Sequence, residues 1–218
     1  MPWLRKKLKA SKKYFLRKTV RRGRAQSKLF QLSTTIAVLG EASSGKTTVC
    51  RKLTQKMYPD GFERATEYYD FDLTLISDGI LCKHELSVHD TPGNLRETFP
   101  LLYESVLRKS DTFVLAFSLA SSRGLSVIYR TLNDLKNIKG TSVPTLIIAN
   151  KSDIESKDEE DIKKRFELYR NAANMNVHIC EMNITDGWDV SHHWIPLLVD
   201  IEERHGVYRG HDPNIVIK

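Results

Sequence analysis

The feature that most constrains the fold is the octapeptide GEASSGKT at residues 40–47. It follows the apolar run of residues 36–39 and matches the phosphate-loop pattern G-x-x-x-x-G-K-[ST] between a strand and a helix. Its two glycines let successive backbone N–H groups point at one anion, and the helix N terminus adds partial positive charge. We therefore expect a nucleoside triphosphate site, with Lys46 on the outer phosphates and Thr47 on Mg²⁺. The alternative is an ordinary Gly/Ser-rich turn.

A second polar segment, Asn150-Lys151-Ser152-Asp153, directly follows the apolar strand predicted at residues 143–149. Ligands of open α/β sheets bind at the carboxyl ends of strands. The Asp153 carboxylate can accept two N–H bonds from the guanine edge, a pair that adenine does not supply. We expect Asn150 to brace this loop and the Lys151 stem to cover the base. A polar strand-to-helix turn is the alternative.

A third segment, Asp90-Thr91-Pro92-Gly93, ends the alternating strand predicted at residues 82–89. Asp90 would hold the metal through a water, and the Gly93 N–H would approach the terminal phosphate because no side chain blocks it. A plain Pro-Gly turn is the alternative. The position of this segment between the other two motifs favours the functional interpretation.

In this order and spacing, the three motifs resemble those of the Ras-like small GTPases over about residues 33–205. The resemblance implies an α/β P-loop NTPase fold, with a mostly parallel six-stranded sheet, one antiparallel strand and helices on both faces. It implies a guanine-nucleotide-dependent switch in signalling that binds GTP or GDP with Mg²⁺ and hydrolyses GTP. It also implies effector, exchange and activating proteins as partners.

The same resemblance assigns roles to individual residues. The metal ligands would be Thr47, Thr66 and Asp90, and catalysis would involve Lys46, Thr66 and Asn94. An aromatic ring at Tyr58 would lie against the guanine. The full set of expected nucleotide contacts is Gly40, Glu41, Ala42, Ser43, Ser44, Gly45, Lys46, Thr47, Thr48, Tyr58, Gly93, Asn150, Lys151, Asp153, Asn183 and Ile184.

Several positions depart from the family pattern. The usual water-orienting glutamine is replaced by Asn94, whose side chain is one methylene shorter. The Ala42 methyl would crowd an arginine finger, a contribution worth about 10³–10⁵ in rate. The last base-contacting loop lacks its usual sequence, so contacts at Asn183 and Ile184 would come from backbone N–H groups. We therefore expect slow hydrolysis, and the alternative is a GTP-binding pseudo-GTPase that acts as an interaction module.

Two further functional classes are disfavoured. An adenine-specific P-loop kinase does not agree with the guanine-type segment at residues 150–153, and the sequence has no evident acceptor lid. A nucleic-acid-binding protein would depend on the N-terminal basic segment alone. Its binding would then weaken steeply with salt and vanish when residues 1–28 were removed.

The net charge of +7 is unevenly distributed along the 218 residues. Residues 1–28 contain 12 of the 34 lysines and arginines and no Asp or Glu, whereas all 27 acidic residues lie in the rest of the chain. We therefore predict three regions: a basic extension at residues 1–30, amphipathic or disordered, a GTP-binding domain at residues 31–206, and a C-terminal tail at residues 207–218.

The basic extension places Trp3, Leu8 and Phe15 on one face at helical spacing, with most lysines elsewhere. This pattern suits an anionic membrane surface contacted through residues 1–24, where each Lys or Arg adds about 1 kcal/mol. We expect neither prenylation nor N-myristoylation, because no cysteine lies near Lys218 and a proline follows Met1. We therefore expect a cytoplasmic protein that is peripheral on the cytoplasmic face of a membrane. The alternatives are nuclear import with nucleic-acid binding, a mitochondrial presequence, and an inert extension.

Alternating patterns predict the other elements. Strands are expected at residues 35–39, 71–77, 82–89, 113–117, 143–149 and 177–182, with the second and third joined as a hairpin by a tight turn at residues 78–79. Helices are expected at residues 46–57, 121–137, 156–174 and 189–205, and residues 93–110 are expected to be a flexible start followed by a helix. The packing side of the 93–110 helix would comprise Leu101, Leu102, Val106 and Leu107. For Cys50, Cys82 and Cys180, we expect packing in a reduced interior, with no metal-binding spacing.

Overall fold

The computed structural model describes residues 28–54, 67–77, 80–140, 143–154, 159–174, 177–183, 191–207 and 216–217. The predictions for the basic segment at residues 1–27, and for Tyr58, Thr66 and Ile184, lie outside these residues. The predicted hairpin turn at residues 78–79 also lies outside them, although Ser77 pairs with Ile80 across it.

The described residues form seven strands in a single sheet. These are β1 (Lys28–Gly40), β2 (Glu67–Ser77), β3 (Ile80–Asp90), β4 (Thr112–Ser118), β5 (Thr145–Asn150), β6 (His178–Met182) and β7 (Val216–Ile217). Their order is β6-β5-β4-β1-β3-β2-β7. Strand β2 is antiparallel to β3 and β7, and the other pairs are parallel. This confirms the prediction of a mostly parallel sheet with one antiparallel strand.

Helices cover both faces of the sheet, as predicted. Those in the described part of the chain are α1 (Lys46–Thr54), α2 (Leu95–Thr98), α3 (Pro100–Lys109), α4 (Ser122–Lys139), α5 (Glu159–Asn174) and α6 (Ser191–Arg204). One core cluster packs the sheet against Val49 of α1 and Leu198 of α6. A second cluster includes Leu107 of α3, Ile128 of α4 and Leu168 of α5. Among these helices, none has the length and apolar character needed to cross a membrane.

Strand β1 is longer than the predicted segment of residues 35–39. It begins at Lys28 and pairs with β3 along its length, from Lys28 opposite Ile80 to Val38 opposite Asp90. The added portion alternates between exposed and inward-facing residues, and Leu29 on the outer side is 69% exposed. Because an apolar residue occupies the solvent side, the alternation that would identify a half-buried strand is obscured.

The prediction of six strands was wrong by one. Val216 and Ile217 pair with Ile76 and Leu75 and so cover the outer side of β2. The backbone groups along an edge strand are otherwise open to pairing. A two-residue strand is too short to produce a periodic sequence signal, so the sequence predicts only a tail for this segment.

The predicted packing face of α3 was half wrong. Val106 and Leu107 are buried, but Leu101 and Leu102 are 83% and 46% exposed. Tyr103 is buried instead, and its hydroxyl donates to a carboxylate on α4 at 3.0 Å. The buried stripe is therefore the i, i+3, i+4 set that starts at Tyr103, one position away from the predicted leucine pair.

The three cysteines are buried and none forms a disulfide. This confirms the prediction of interior thiols. Burial raises the pKa of the Cys180 thiol, whose Sγ donates to a backbone carbonyl on β5.

Truncating side chains on the buried and on the exposed face of α3 should change the free energy of unfolding by different amounts. We expect Leu107→Ala to lower the free energy of unfolding by about 2–5 kcal/mol, because it opens a cavity in the core. Leu101→Ala is the matched control and should change it by less than about 0.5 kcal/mol, since the side chain is mostly in water. Urea unfolding followed by circular dichroism measures both. Equal losses in the two variants would contradict the described orientation of the helix.

Candidate functional site

The phosphate-loop segment runs between the end of β1 and the start of α1. Gly40 has a φ of +147°, and a Cβ there would lie 1.9 Å from the carbonyl oxygen of Ala116 on β4. Gly45, at the other end of the loop, has a φ of +101°. Ser43 also has a positive φ, of 59°. These conformations curl the backbone tightly, and at Gly40 only glycine can be accommodated.

The Lys46 ammonium lies back over this loop. Its Nζ donates to the backbone carbonyl of Glu41 at 2.6 Å, and the residue is only 6% exposed. Burial lowers the pKa of Lys46, and the nearby charge of Asp90 opposes that effect. A desolvated cation of this kind is stabilised by an anion placed beside it.

Thr47 and Asp90 bring two oxygen atoms together at the start of α1. The Thr47 hydroxyl donates to Asp90 Oδ2 at 2.6 Å, and Asp90 is the last residue of β3. Mg²⁺ prefers oxygen ligands and is commonly held by one or two protein groups together with substrate phosphates. The donor chemistry of this pair therefore fits Mg²⁺. The third predicted ligand, Thr66, lies outside the described residues.

The predicted base-recognition segment begins where β5 ends. The buried Asn150 side chain donates from Nδ2 to the carbonyl oxygen of Ser44 at 2.9 Å, which joins this segment to the phosphate loop. Lys151 has a φ of +61°, and residues Ser152–Ile154 form a short 3₁₀ turn. The Asp153 side chain, within that turn, is exposed.

A single open cavity of about 300 Å³ connects the two segments. Its volume is at the lower end of the range for small-molecule sites. The lining contains eight of the fourteen predicted nucleotide contacts that the structure describes, and Asp153 is not among them. The lining residues are Ser43, Gly45, Lys46, Thr47, Thr48, Asn150, Lys151 and Asn183.

Gly93 and Asn94 are consecutive in the chain but have different surroundings. A Cβ on Gly93 would come within 2.3 Å of the backbone nitrogen of Ala42, so the two backbones are in close contact. Asn94 is exposed, and its carbonyl oxygen accepts bonds from two N–H groups of α2. Its side chain makes no helix-capping bond. The Asn94 amide is thus outside the cavity that holds Lys46.

Glu41 has a structural role that the phosphate-loop pattern does not predict. The Glu41 carboxylate accepts bonds from the Ser121 hydroxyl at 2.8 Å and from the Ser118 N–H at 3.4 Å. Gly124 leaves room for it, since a Cβ there would lie 2.7 Å from Glu41 Oε1. Glu41 therefore anchors the loop to the connection between β4 and α4. The motif allows any residue at this position, so its pattern gives no signal for this contact.

Comparison with known proteins agrees with this geometry. The chain is 28% identical to the Ras-related protein Rab-1C of Dictyostelium discoideum over 171 residues, which are 77% of this chain and 80% of the relative. It is 26% identical to RabZ of the same organism over 172 residues, or 78% and 71% of the two chains. Over 194 residues it is 21% identical to the GTP-binding protein drn-1 of Caenorhabditis elegans, covering 86% and 85%.

The family model described as "Ras family" matches residues 35–201, which include all three sequence motifs and the whole cavity lining. Since that match spans well over half of the chain, the protein belongs to the Ras family of small GTPases.

Proposed function

We propose that this chain is a guanine-nucleotide-dependent molecular switch that binds GTP or GDP with Mg²⁺ and hydrolyses GTP slowly. The observation that carries the proposal is the shared cavity, which has Lys46 and Thr47 in one part of its lining and Asn150 and Lys151 in another. A phosphate chain and a base attached through a ribose would use both sets of residues at once.

Phosphate binding would depend on the curled loop and on Lys46. The backbone N–H groups near Gly45 and the N terminus of α1 favour an anion at this place. A bound polyphosphate would also compensate the cost of holding the Lys46 ammonium largely out of water. Thr48 and Ser43, both in the cavity lining, would complete the polar wall.

Thr47 and Asp90 would hold Mg²⁺, with Thr66 joining them when the terminal phosphate is present. When bound, the ion would neutralise charge on the outer phosphate oxygens. The two described side chains already place oxygens 2.6 Å apart, and the ion would replace this direct hydrogen bond. The chain's own contribution is thus a pair of oxygen donors that joins α1 to the end of β3.

Guanine selection would depend on Asp153, with Lys151 covering the base face. The exposed Asp153 side chain is two residues beyond Lys151 in a short turn, so it can face a base entering from solvent. Asn183 lies in the cavity lining and could contribute its backbone N–H, as could Ile184. Tyr58 would stack on the purine.

The switch itself would depend on Gly93 and Thr66. Gly93 contacts the backbone of the phosphate loop at Ala42. A terminal phosphate bound beside that loop would therefore contact the segment that leads into α2 and hold it in place. Loss of that phosphate on hydrolysis would release the segment. Effector, exchange and activating proteins would recognise the resulting change in conformation.

A second candidate is a GTP-binding interaction module with negligible turnover. The observation in its favour is the position of Asn94, which is exposed and lies outside the cavity lining. Its side chain is also one methylene shorter than that of the family's glutamine, so its amide reaches less far. Ala42 would add crowding against a finger residue from an activating partner.

The attachment of the protein to an anionic membrane surface through residues 1–24 stays a prediction. It rests on the basic amphipathic pattern of that segment, which carries no acidic residue. The location on the cytoplasmic face of a membrane and its nuclear alternative also stay predictions.

Nucleotide specificity should change on replacing one carboxylate. Equilibrium titration of purified protein with fluorescent GDP, GTP and ATP should give binding to both guanine nucleotides at least about 100-fold tighter than to ATP. Asp153→Asn should weaken guanine binding and favour xanthine nucleotides, because the carboxamide supplies a donor where guanine needs a second acceptor. Ser152→Ala, in the same exposed turn, is the control. Equal affinity for ATP and GTP would refute the proposal.

The rate of hydrolysis separates the two candidates. Under single-turnover conditions, we expect slow but measurable GTP hydrolysis that Asn94→Gln accelerates by about 10- to 100-fold, because the longer amide reaches the attacking water. Asn137→Gln on the exposed side of α4 makes the same chemical change elsewhere and should have no effect. If neither the parent chain nor Asn94→Gln turned over bound GTP, the interaction module would be the better account.

A further inference from the structure

A second polar cluster lies in the core, away from the cavity. Cys82 and His84 are alternate residues of β3 and so face the same side of the sheet, where Glu202 of α6 meets them. One sulfur, nitrogen or oxygen atom from each residue lies within 4.8 Å of those of the other two. All three residues have an exposure of 0%.

The surroundings make these groups costly to bury. The neighbouring inward residue of β3, Leu86, and the preceding residue of α6, Ile201, both belong to the apolar core cluster on this face. His84 Nε2 and Glu202 Oε1 are 2.9 Å apart, and this contact satisfies one nitrogen of the imidazole ring. The other nitrogen, Nδ1, is buried and has no hydrogen-bond partner among the described residues.

We propose that Cys82, His84 and Glu202 form a binding site for a divalent cation of the zinc class. Thiolate, imidazole and carboxylate are the ligands that Zn²⁺ takes in proteins. Zinc bond lengths of about 2.0–2.3 Å put tetrahedral ligand atoms about 3.3–3.8 Å apart, so the observed spread requires shifts of about 1 Å. On metal binding, side-chain rotations would have to supply shifts of that size.

Charge balance supports the assignment to a divalent ion. One thiolate and one carboxylate together neutralise a 2+ ion, and a neutral assembly is the form that an apolar core tolerates best. On binding, the Cys82 thiol would lose its proton to solvent as the Zn–S bond forms, with no change of oxidation state. The fourth position would be filled by a water molecule, as in other sites with three protein ligands.

The site would act as a clamp between β3 and α6. It would tie the last helix to the strand that ends at Asp90, so the expected role is structural, through added stability. This inference is independent of nucleotide binding, since the cluster has no residue in common with the cavity lining. A protein that bound no nucleotide could still bind zinc, and a protein that bound no zinc could still bind nucleotide.

Cobalt(II) titration of the full chain tests the proposal, because Co²⁺ replaces Zn²⁺ and reports a bound thiolate by a near-ultraviolet charge-transfer band. The protein is first treated with a chelator and a reductant that carries no thiol. We expect about one equivalent of Co²⁺ with that band in the parent chain. The band should persist in Cys180→Ser, which removes another buried thiol from β6. It should vanish in Cys82→Ser, with binding weakened by more than about tenfold, and weaken in Glu202→Gln.

A second measurement covers the case in which Cys82→Ser does not fold. Zinc should raise the unfolding temperature of the parent chain and of Cys180→Ser relative to chelator, as expected for a ligand of the native state. Absence of the charge-transfer band in the folded parent chain would overturn the proposal and leave a hydrogen-bonded His84–Glu202 pair. Retention of the band in folded Cys82→Ser would overturn it equally.

Discussion

The parallel pairing of β3, β1, β4, β5 and β6 is the constraint on which the candidate site depends. It sets Val38 beside Asp90, Gly40 beside Ala116 and Ser118 beside Asn150, so that three motifs distant in sequence reach the same edge of the sheet. The hydrogen bond from Asn150 Nδ2 to the Ser44 carbonyl then joins the phosphate and base segments. A shift of one residue in any of these pairs would move every side chain of the strand to the opposite face of the sheet and separate the motifs.

Strand β3 links the two sites inferred for this chain. Its last residue, Asp90, bonds to Thr47 at the cavity, and Cys82 lies eight residues earlier, about 26 Å along an extended strand. The same face of the strand between them is filled by Leu86 and Val88 of one core cluster. Both ends of β3 are therefore held to a helix by polar side chains, with apolar packing in between.

The sequence predicts the parts of this structure that local chemistry determines. The phosphate-loop glycines, the apolar strands and the segment after β5 follow patterns with a direct physical meaning. Residues of the phosphate loop and of the segment after β5 line one cavity. The long start of β1, the strand at Val216–Ile217 and the exposure of Leu101 depend on what packs against them, which no local pattern encodes. The Cys82–His84–Glu202 cluster joins residues that are 118 positions apart, so the cysteine spacing gave no indication of it.

The most direct test of the central claim is to identify the nucleotide that the purified protein retains. Denaturing a known amount of protein and separating the released nucleotides by ion-exchange chromatography should give close to one GDP or GTP per chain. Lys46→Ala, with the buried cation removed, should release much less, while Lys136→Ala on exposed α4 should match the parent chain. Recovery of an adenine nucleotide, or of the same amount of guanine nucleotide from Lys46→Ala, would contradict the account.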